Sequence, residues 1–322
     1  MAVPPASQIS RSLIKISDLN DIELTHVLNA SKLLEQSNWQ SPINAGISQE
    51  LSQKVIAEAF FEPSTRTRLS FQMAAQRLGV NVIGCDFETS SSLVKGEAES
   101  DTLLNLAAMK PDLLVVRTKG GEDIVRAMGQ IQVPILNAGF GQIEHPTQAL
   151  LDVLTIVKRK GQVKGLKLLI VGDVAHSRVA GSNVQIFKRL GAEVAVCSPK
   201  VPPGFSEQKI AAFASLQEAA GWADVVMGLR VQVERFEQNE KEAFLSSLRD
   251  DYIKKFRLDS TNLKSFKSDG LIMHPGPFVP GVDFDPALLR DPRCVIHEQV
   301  TNGVYIRGAL ILRSLGLMGA IS

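Results

Sequence analysis

A chain of 322 residues, 44% of them hydrophobic, can bury a sizeable core, and its length favours two domains over one. Its 35 basic and 34 acidic residues leave a net charge of +1, without the basic excess of a nucleic-acid binder, and no apolar run is long enough to span a bilayer. Residues 1–8 lack the basic start and apolar centre of a secretory signal, the three cysteines Cys85, Cys197 and Cys294 form no CxxC pair, and the five histidines form no HExxH; these features predict a cytoplasmic protein in a reducing compartment, with no structural zinc, no catalytic metal and no membrane partner.

Residues 1–11 read as an N-terminal arm. Ser17 is expected to cap a helix with Asp18, Asp21 and Glu23 near its start and with Leu19, Ile22 and Leu28 facing inward. Strand-like runs follow at Val55–Ala57, Val82–Ile83, Leu113–Val116 and Pro134–Leu136, separated by helical segments. A helix over Pro146–Lys160 leads into 161–165, a hinge or linker, and the pattern restarts at Leu168–Val171, Val194–Val196, Asp224–Met227 and Leu271–Met273. The alternation predicts an α/β fold of two domains, 12–150 and 151–302. Each is a parallel sheet flanked by helices, because parallel strands need crossovers and the crossovers cover the sheet. The segment Val231–Ser268 is crowded with charge and reads as a mobile loop with one or two helices. Ala309, Leu310, Leu312, Leu315 and Leu317 predict an apolar C-terminal helix, 303–318.

The stretch Phe61-Glu62-Pro63-Ser64-Thr65-Arg66-Thr67-Arg68 carries the densest chemistry. It follows an apolar strand and precedes the helical spacing of Phe71, Ala74, Ala75 and Leu78, so Ser64 or Thr65 can cap that helix. Ser-Thr alone reads as a cap. Two arginines and three hydroxyls at a positive helix end favour a bound phosphate or other dianion. Val171-Gly172-Asp173-Val174-Ala175-His176 stands where a dinucleotide loop would, but it lacks the second and third glycines, and the chain contains no GxxxxGK[ST]. Arg178 instead follows that strand, as Arg66 and Arg68 follow the first one. The carboxyl ends of parallel strands bind ligands, so an active site is expected in a cleft between the two halves. His145-Pro146-Thr147-Gln148 opens a helix with proline in its first turn; a histidine there either caps the helix or donates to a carbonyl oxygen.

The motif Phe61–Arg68 resembles the carbamoyl-phosphate loop of the aspartate and ornithine carbamoyltransferases. HPTQ at 145–148, Ser90–Glu97 with its KGE, Arg230-Val231-Gln232 and His274-Pro275-Gly276-Pro277 match the family in the same order, and the resemblance runs from residue 11 onward. Two features favour the aspartate branch: KGE is present, and the 274–277 loop has no cysteine. Phe278-Val279-Pro280 departs from the pattern, in which a basic residue often follows HPxP.

The resemblance implies transfer of the carbamoyl group from carbamoyl phosphate to L-aspartate, giving N-carbamoyl-L-aspartate and phosphate in pyrimidine synthesis, without a cofactor. It implies that Ser64, Thr65, Arg66, Thr67 and Arg117 hold the phosphate, that Thr67, Arg117 and His145 stabilise the oxyanion, and that Gln148 with the carbonyls of Gly276 and Pro277 accepts from the carbamoyl NH2. Arg178, Arg230, Gln232 and Lys95 would hold the carboxylates of aspartate. Lys95, with Ser91 or Ser92, would reach a neighbouring subunit of a homotrimer with shared sites, Glu62 would pair with Arg178 or Arg235, and the last helix would pack back on the first domain. The resemblance leaves open a higher assembly with regulatory or dihydroorotase-like chains. The alternatives are another amino-acid acceptor such as ornithine, or a noncatalytic scaffold homologue.

Overall fold

The computed structural model describes residues 11–39, 45–84, 87, 95–141 and 144–320. Cys85, Ser91, Ser92 and most of the expected arm lie outside them. The chain forms two compact units, one of 1–154 with 300–322 and one of 155–299. The boundaries expected from the sequence, after residues 150 and 302, fall in the same two helices as these divisions.

The first unit begins with α1 (Asp21–Gln36) and α2 (Ala45–Ser52), and continues through β1 (Val55–Phe60), α3 (Thr65–Leu78), β2 (Asn81–Gly84), α4 (Glu99–Ala108), β3 (Leu113–Thr118), α5 (Glu122–Gln130), β4 (Ile135–Phe140) and α6 (Pro146–Lys160). Its four strands are all parallel, in the order β2-β1-β3-β4. β1, β3 and β4 are buried nearly throughout, which explains why they read as unbroken apolar runs. Ala57, Leu114, Val116, Ile124 and Ile135 form one side of its core.

The second unit contains β5 (Lys167–Gly172), α7 (Arg178–Arg189), β6 (Glu193–Cys197), α8 (Pro203–Glu207), β7 (Ala211–Phe213), α9 (Leu216–Ala219), β8 (Val225–Leu229), α10 (Gln238–Ala243), α11 (Arg249–Phe256) and β9 (Leu271–Met273). Its parallel order is β7-β6-β5-β8-β9. Leu169, Val171, Ala195, Val226, Phe244, Phe256 and Phe284 lie in one core cluster. Cys197 belongs to that cluster, and burial pushes its thiol up to about 12.

α12 (Ile296–Leu315) closes the chain and supplies Ile306, Leu310 and Leu312 to the first unit's core. There Tyr305 stacks on Trp39 with ring centroids 5.5 Å apart, and the Arg307 guanidinium lies 5.2 Å from the Phe71 ring. Burial pulls Arg307 down to about 10, with Asp152 opposing the shift.

Several local expectations change. Asn20, not Ser17, caps α1: its Oδ1 accepts from the Glu23 amide, while Ile16–Asp18 forms a separate 3-10 turn. Leu19 is buried as expected but stands before the helix, while Ile22 is 69% exposed, because the inward stripe of α1 is set by Leu24, Val27 and Leu34 and Ile22 lies on the far side of the helix from it. The crowded 231–268 segment holds α10 and α11, joined through a π-turn over Phe244–Leu248, whose Phe244, Tyr252 and Phe256 reach the core. Strand β7 escaped the sequence reading because it is three residues long and largely exposed.

Gly172 ends β5 at φ 113°, and a Cβ there would stand 2.5 Å from the Leu229 carbonyl oxygen. A side chain would therefore strain the backbone and push β5 from β8 where the second unit's loops begin. Gly172→Ala should lower unfolding stability by about 2 kcal/mol or more, read as a lower urea midpoint at unchanged slope; an unchanged midpoint would contradict this account.

Candidate active site

In the first unit, Ser64 occupies the N-cap of α3, but its hydroxyl makes no capping bond to the helix, contrary to the expected cap. The helix's first N–H groups are thus not covered by that side chain, which suits an anion site at a positive helix end. Thr65 and Arg66 are exposed and Thr67 is buried. Arg68 departs from the expected donor set: its Nε points back to Glu58 Oε2 at 3.3 Å, beneath the exposed edge strand β2. Burial raises the Glu58 carboxyl, with Gln72 and Arg68 pulling against it.

Arg117 lies within β3, one residue before its end. Nη1 donates to the Ala138 carbonyl at 3.2 Å, and Nε lies 3.6 Å from Glu62 Oε2. Glu62 therefore braces Arg117 in this structure. The next residue, Thr118, donates through Oγ1 to Glu99 Oε2 at 2.5 Å, pinning the first turn of α4 beside β3. Burial raises the Glu99 carboxyl, and the Thr118 hydroxyl opposes it. Lys95 stands exposed a short way upstream of that anchored turn.

The loop after β4 turns tightly. Gly141 has φ 52°, and a Cβ would meet the Lys119 carbonyl oxygen at 2.8 Å. Asn137 holds the loop's two sides, accepting from the Gly139 amide at 2.7 Å and donating to the Glu144 carbonyl at 3.3 Å. His145 is buried, and its carbonyl accepts from the Gln148 and Ala149 amides as α6 begins. Gln148 Nε2 donates to Asp152 Oδ1 at 2.9 Å. The amide's orientation is thereby fixed, with Oε1 as its accepting end.

In the second unit, Arg178 sits at the first position of α7, only 6% exposed, after Ser177, whose Oγ accepts from the Ala180 amide. The 173–178 loop is laced to the loop after β8. Asp173 accepts from the Gln232 amide at 3.0 Å and from His176 Nδ1 at 2.7 Å. The His176 carbonyl accepts from Gln232 Nε2 at 2.8 Å and Arg235 Nη1 at 2.9 Å. Arg230 forms a two-pronged pair with Glu234, one contact at 3.0 Å and the other between Nη2 and Oε1. Burial would lift the Glu234 carboxyl, but the Arg230 hydrogen bond and charge hold it below the ordinary value. In the loop after β9, His274 Nδ1 accepts from the Gly276 amide at 2.9 Å. Phe278 packs 4.7 Å from Phe284 and 5.9 Å from His274, so the departure from a basic residue places an aromatic ring against the core.

Ser64, Thr65, Arg66, Thr67, Arg117, His145 and Gln148 thus lie at or just past the carboxyl ends of β1, β3 and β4 in the first unit, and Arg178, Arg230, Gln232, Gly276 and Pro277 just past those of β5, β8 and β9 in the second. Sequence reasoning missed Asp152, Asp173 and Glu234, the carboxylates that orient these groups. Asp173 alone had a signal, as the first polar residue after β5. Among the described residues no group of three His, Cys, Asp or Glu side chains could hold a metal, and no helix is long and apolar enough to cross a membrane. A cavity of about 590 Å³ lined by Lys54, Ala107, Lys110, Asp112, Gln130 and Pro134 opens at the opposite edge of the first sheet, where β1, β3 and β4 begin. It contains none of the candidate residues.

Residues 11–158 match the family described as aspartate/ornithine carbamoyltransferase, carbamoyl-P binding domain, and 164–313 match its Asp/Orn binding domain. The chain is 41% identical over 309 residues to the aspartate carbamoyltransferase catalytic subunit of Acetivibrio thermocellus, covering 94% of this chain and 95% of that one. It is 43% identical to that of Syntrophotalea carbinolica, over 94% of each. The crystal structure of aspartate transcarbamoylase from Trypanosoma cruzi with carbamoyl phosphate and aspartate superposes with a TM-score of 0.81 at 28% identity, covering 96% of this chain and 98% of that one.

The lacing of the two second-unit loops has a direct test. Asp173→Asn removes a charged acceptor from the Gln232 amide, a loss of about 1.5–3 kcal/mol, so that amide should exchange with deuterium roughly tenfold faster or more while core amides of β5 keep their protection. Unchanged Gln232 exchange would show that Asp173 does not hold the loop.

Proposed function

The chain belongs to the aspartate/ornithine carbamoyltransferase family, and we propose on that footing that it is an enzyme transferring the carbamoyl group of carbamoyl phosphate to L-aspartate, with N-carbamoyl-L-aspartate and phosphate as products, in pyrimidine synthesis. The observation that carries this reading is the end-to-end likeness to aspartate carbamoyltransferase catalytic subunits, at about 40% identity over 94% of the chain.

In this reading Ser64, Thr65, Arg66 and Thr67 hold the phosphate at the start of α3, and Arg117 bridges phosphate and carbonyl oxygen. The amine of aspartate attacks the carbamoyl carbon, the bond to the phosphate oxygen breaks, and the leaving phosphate takes the amine proton. Charge develops on the carbonyl oxygen, so donors set in advance at Thr67, Arg117 and His145 lower the barrier, each by about 3 kcal/mol. The brace on Arg117 from Glu62 and Ala138 supports such a role, since a donor that need not reorganise during the reaction is the more effective. Gln148, its Nε2 already committed to Asp152, turns its carbonyl oxygen to the carbamoyl NH2, as do the Gly276 and Pro277 carbonyls. Arg178, Arg230, Gln232 and Lys95 bind the two carboxylates of aspartate. Arg230 carries Glu234 as its counter-ion, which keeps the guanidinium oriented before substrate arrives.

Assaying L-aspartate against L-ornithine tests the acceptor: aspartate should be carbamoylated, and preferential use of ornithine, or no turnover of either, overturns the reading. Arg230→Ala should raise the aspartate KM by roughly tenfold or more, the loss of one charged hydrogen bond, while carbamoyl phosphate binding by calorimetry stays nearly intact. Abolished carbamoyl phosphate binding would remove Arg230 from the acceptor set.

We assign Lys95 to a neighbouring subunit's site in a homotrimer. Arg66→Ala and Lys95→Ala trimers should each be nearly inactive. In a ring of three, any mixed trimer has one junction where an intact host meets an intact donor, so random reassembly of equal amounts should recover roughly a quarter of wild-type activity. Remixed trimers without activity would place Lys95 in its own chain's site.

A further inference from the structure

We propose that Asp283 is a positioning residue for this reaction: one buried carboxylate ties the Arg230–Gln232 loop to the His274–Pro277 loop and so sets the acceptor-binding groups on both. The inference rests on the acceptor reading above and adds to it a residue outside every motif in the sequence.

Asp283 is 1% exposed. Its Oδ2 accepts from the Val231 amide at 3.2 Å, in the middle of Arg230-Val231-Gln232, and its Oδ1 accepts from the Val279 amide at 2.9 Å, two residues beyond Pro277. Oδ1 also lies 3.9 Å from His274 Nε2. Because His274 Nδ1 accepts from the Gly276 amide, a neutral ring carries its proton on Nε2, the side facing Asp283. The Asp283 backbone is itself fixed: its carbonyl accepts from the Leu258 amide at 3.0 Å, just past α11. One side chain thus offers an oxygen to each of two loops that follow different strands.

A carboxylate is the residue type this geometry requires. Two N–H donors arriving from separate loops need two acceptor oxygens, whereas asparagine supplies one and turns an NH2 toward the other donor. Its apolar neighbours do not ask for it: Phe284 is the next residue, and its ring packs on Phe278 and on the His274 ring. Burial instead works against it, pushing the carboxyl up to about 6, with the Val279 and Val231 amides and the Arg230 charge opposing. The charged and titratable groups facing it are Arg230 from the loop after β8, His274 from the loop after β9, and Tyr252 from α11, whose hydroxyl burial first, and then the Asp283 charge, keeps protonated. Arg257 reaches the Gly281 carbonyl at 3.4 Å and is paired with Asp259. Below pH about 6 the carboxyl takes a proton, one oxygen presents a hydrogen to an N–H donor, and the tie between the loops weakens.

The test is steady-state kinetics of the full-length wild type and Asp283→Asn from pH 5 to pH 8 at saturating carbamoyl phosphate. Asp283→Asn should raise the L-aspartate KM at pH 8 by roughly tenfold or more, with kcat changed far less. The variant-to-wild-type KM ratio should shrink toward acid pH, where the wild type loses the same tie; substrate titration cancels in that ratio. Equal KM values, or a ratio independent of pH, would overturn the proposal. Failure of the wild type to use L-aspartate would instead overturn the acceptor reading. Should Asp283→Asn not fold, wild-type hydrogen exchange decides: protection of the Val231 and Val279 amides, corrected for intrinsic rates, should fall together below pH 6, and protection independent of pH would refute the tie.

Discussion

A parallel strand can be left only through its carboxyl end, and that constraint orders everything else here. Each sheet is wholly parallel, so each chain segment that leaves a strand emerges from the same edge and returns to the opposite edge through a helix. Ser64–Thr67 follow β1, Lys95 follows β2, His145 follows β4, and Arg117 stands at the end of β3. Arg178, Arg230 and Gly276 follow β5, β8 and β9 in the same way. Residues far apart in sequence share an edge because no other exit exists. The cavity at the opposite edge of the first sheet shows the other consequence: that edge collects turns and helix ends but no candidate catalytic group.

The cations on these edges are not bare. Arg117 is braced by Glu62, Arg230 by Glu234, and Arg68 is drawn onto Glu58. Carboxylates beside these guanidinium groups offset their mutual repulsion and fix the direction in which each fork points. Where such a carboxylate is buried, its protonation shifts upward, as for Glu58 and Asp283, because desolvation outweighs the neighbouring donors.

Strand positions were legible in the sequence because buried parallel strands leave unbroken apolar runs such as Leu113–Val116 and Leu168–Val171, and the second-unit restart was equally plain. Caps were less so. Ser17 and Asn20 are both good capping residues three apart, and only the intervening 3-10 turn decides between them. The anion-binding character of Ser64–Arg68 could be read from residue types and spacing, whereas Arg117, His145 and the acceptor-side residues were named through the family resemblance. Their supports could be reached by neither route, since Asp152 is one acid on a helix and Asp283 one acid in a loop, and neither pattern separates a buried partner from a solvated charge. Arg68 shows the converse error: it shares the motif's spacing, but α3 turns it toward β1 and an inward-facing glutamate.

The unit that begins first is finished last. Trp39 finds its stacking partner in Tyr305, and Arg313 reaches back to Glu23 at 2.8 Å and to the Arg11 carbonyl at 3.1 Å. On the ribosome, residues 155–299 have all emerged before the first unit possesses α12, so the middle of the chain can complete its own core while the amino-terminal sheet still exposes the apolar surface that α12 will cover. A premature stop within α12, before Leu310 and Leu312, therefore leaves a hole in the amino-terminal core, and quality control would meet it as a folding defect at the opposite end of the polypeptide from the lesion.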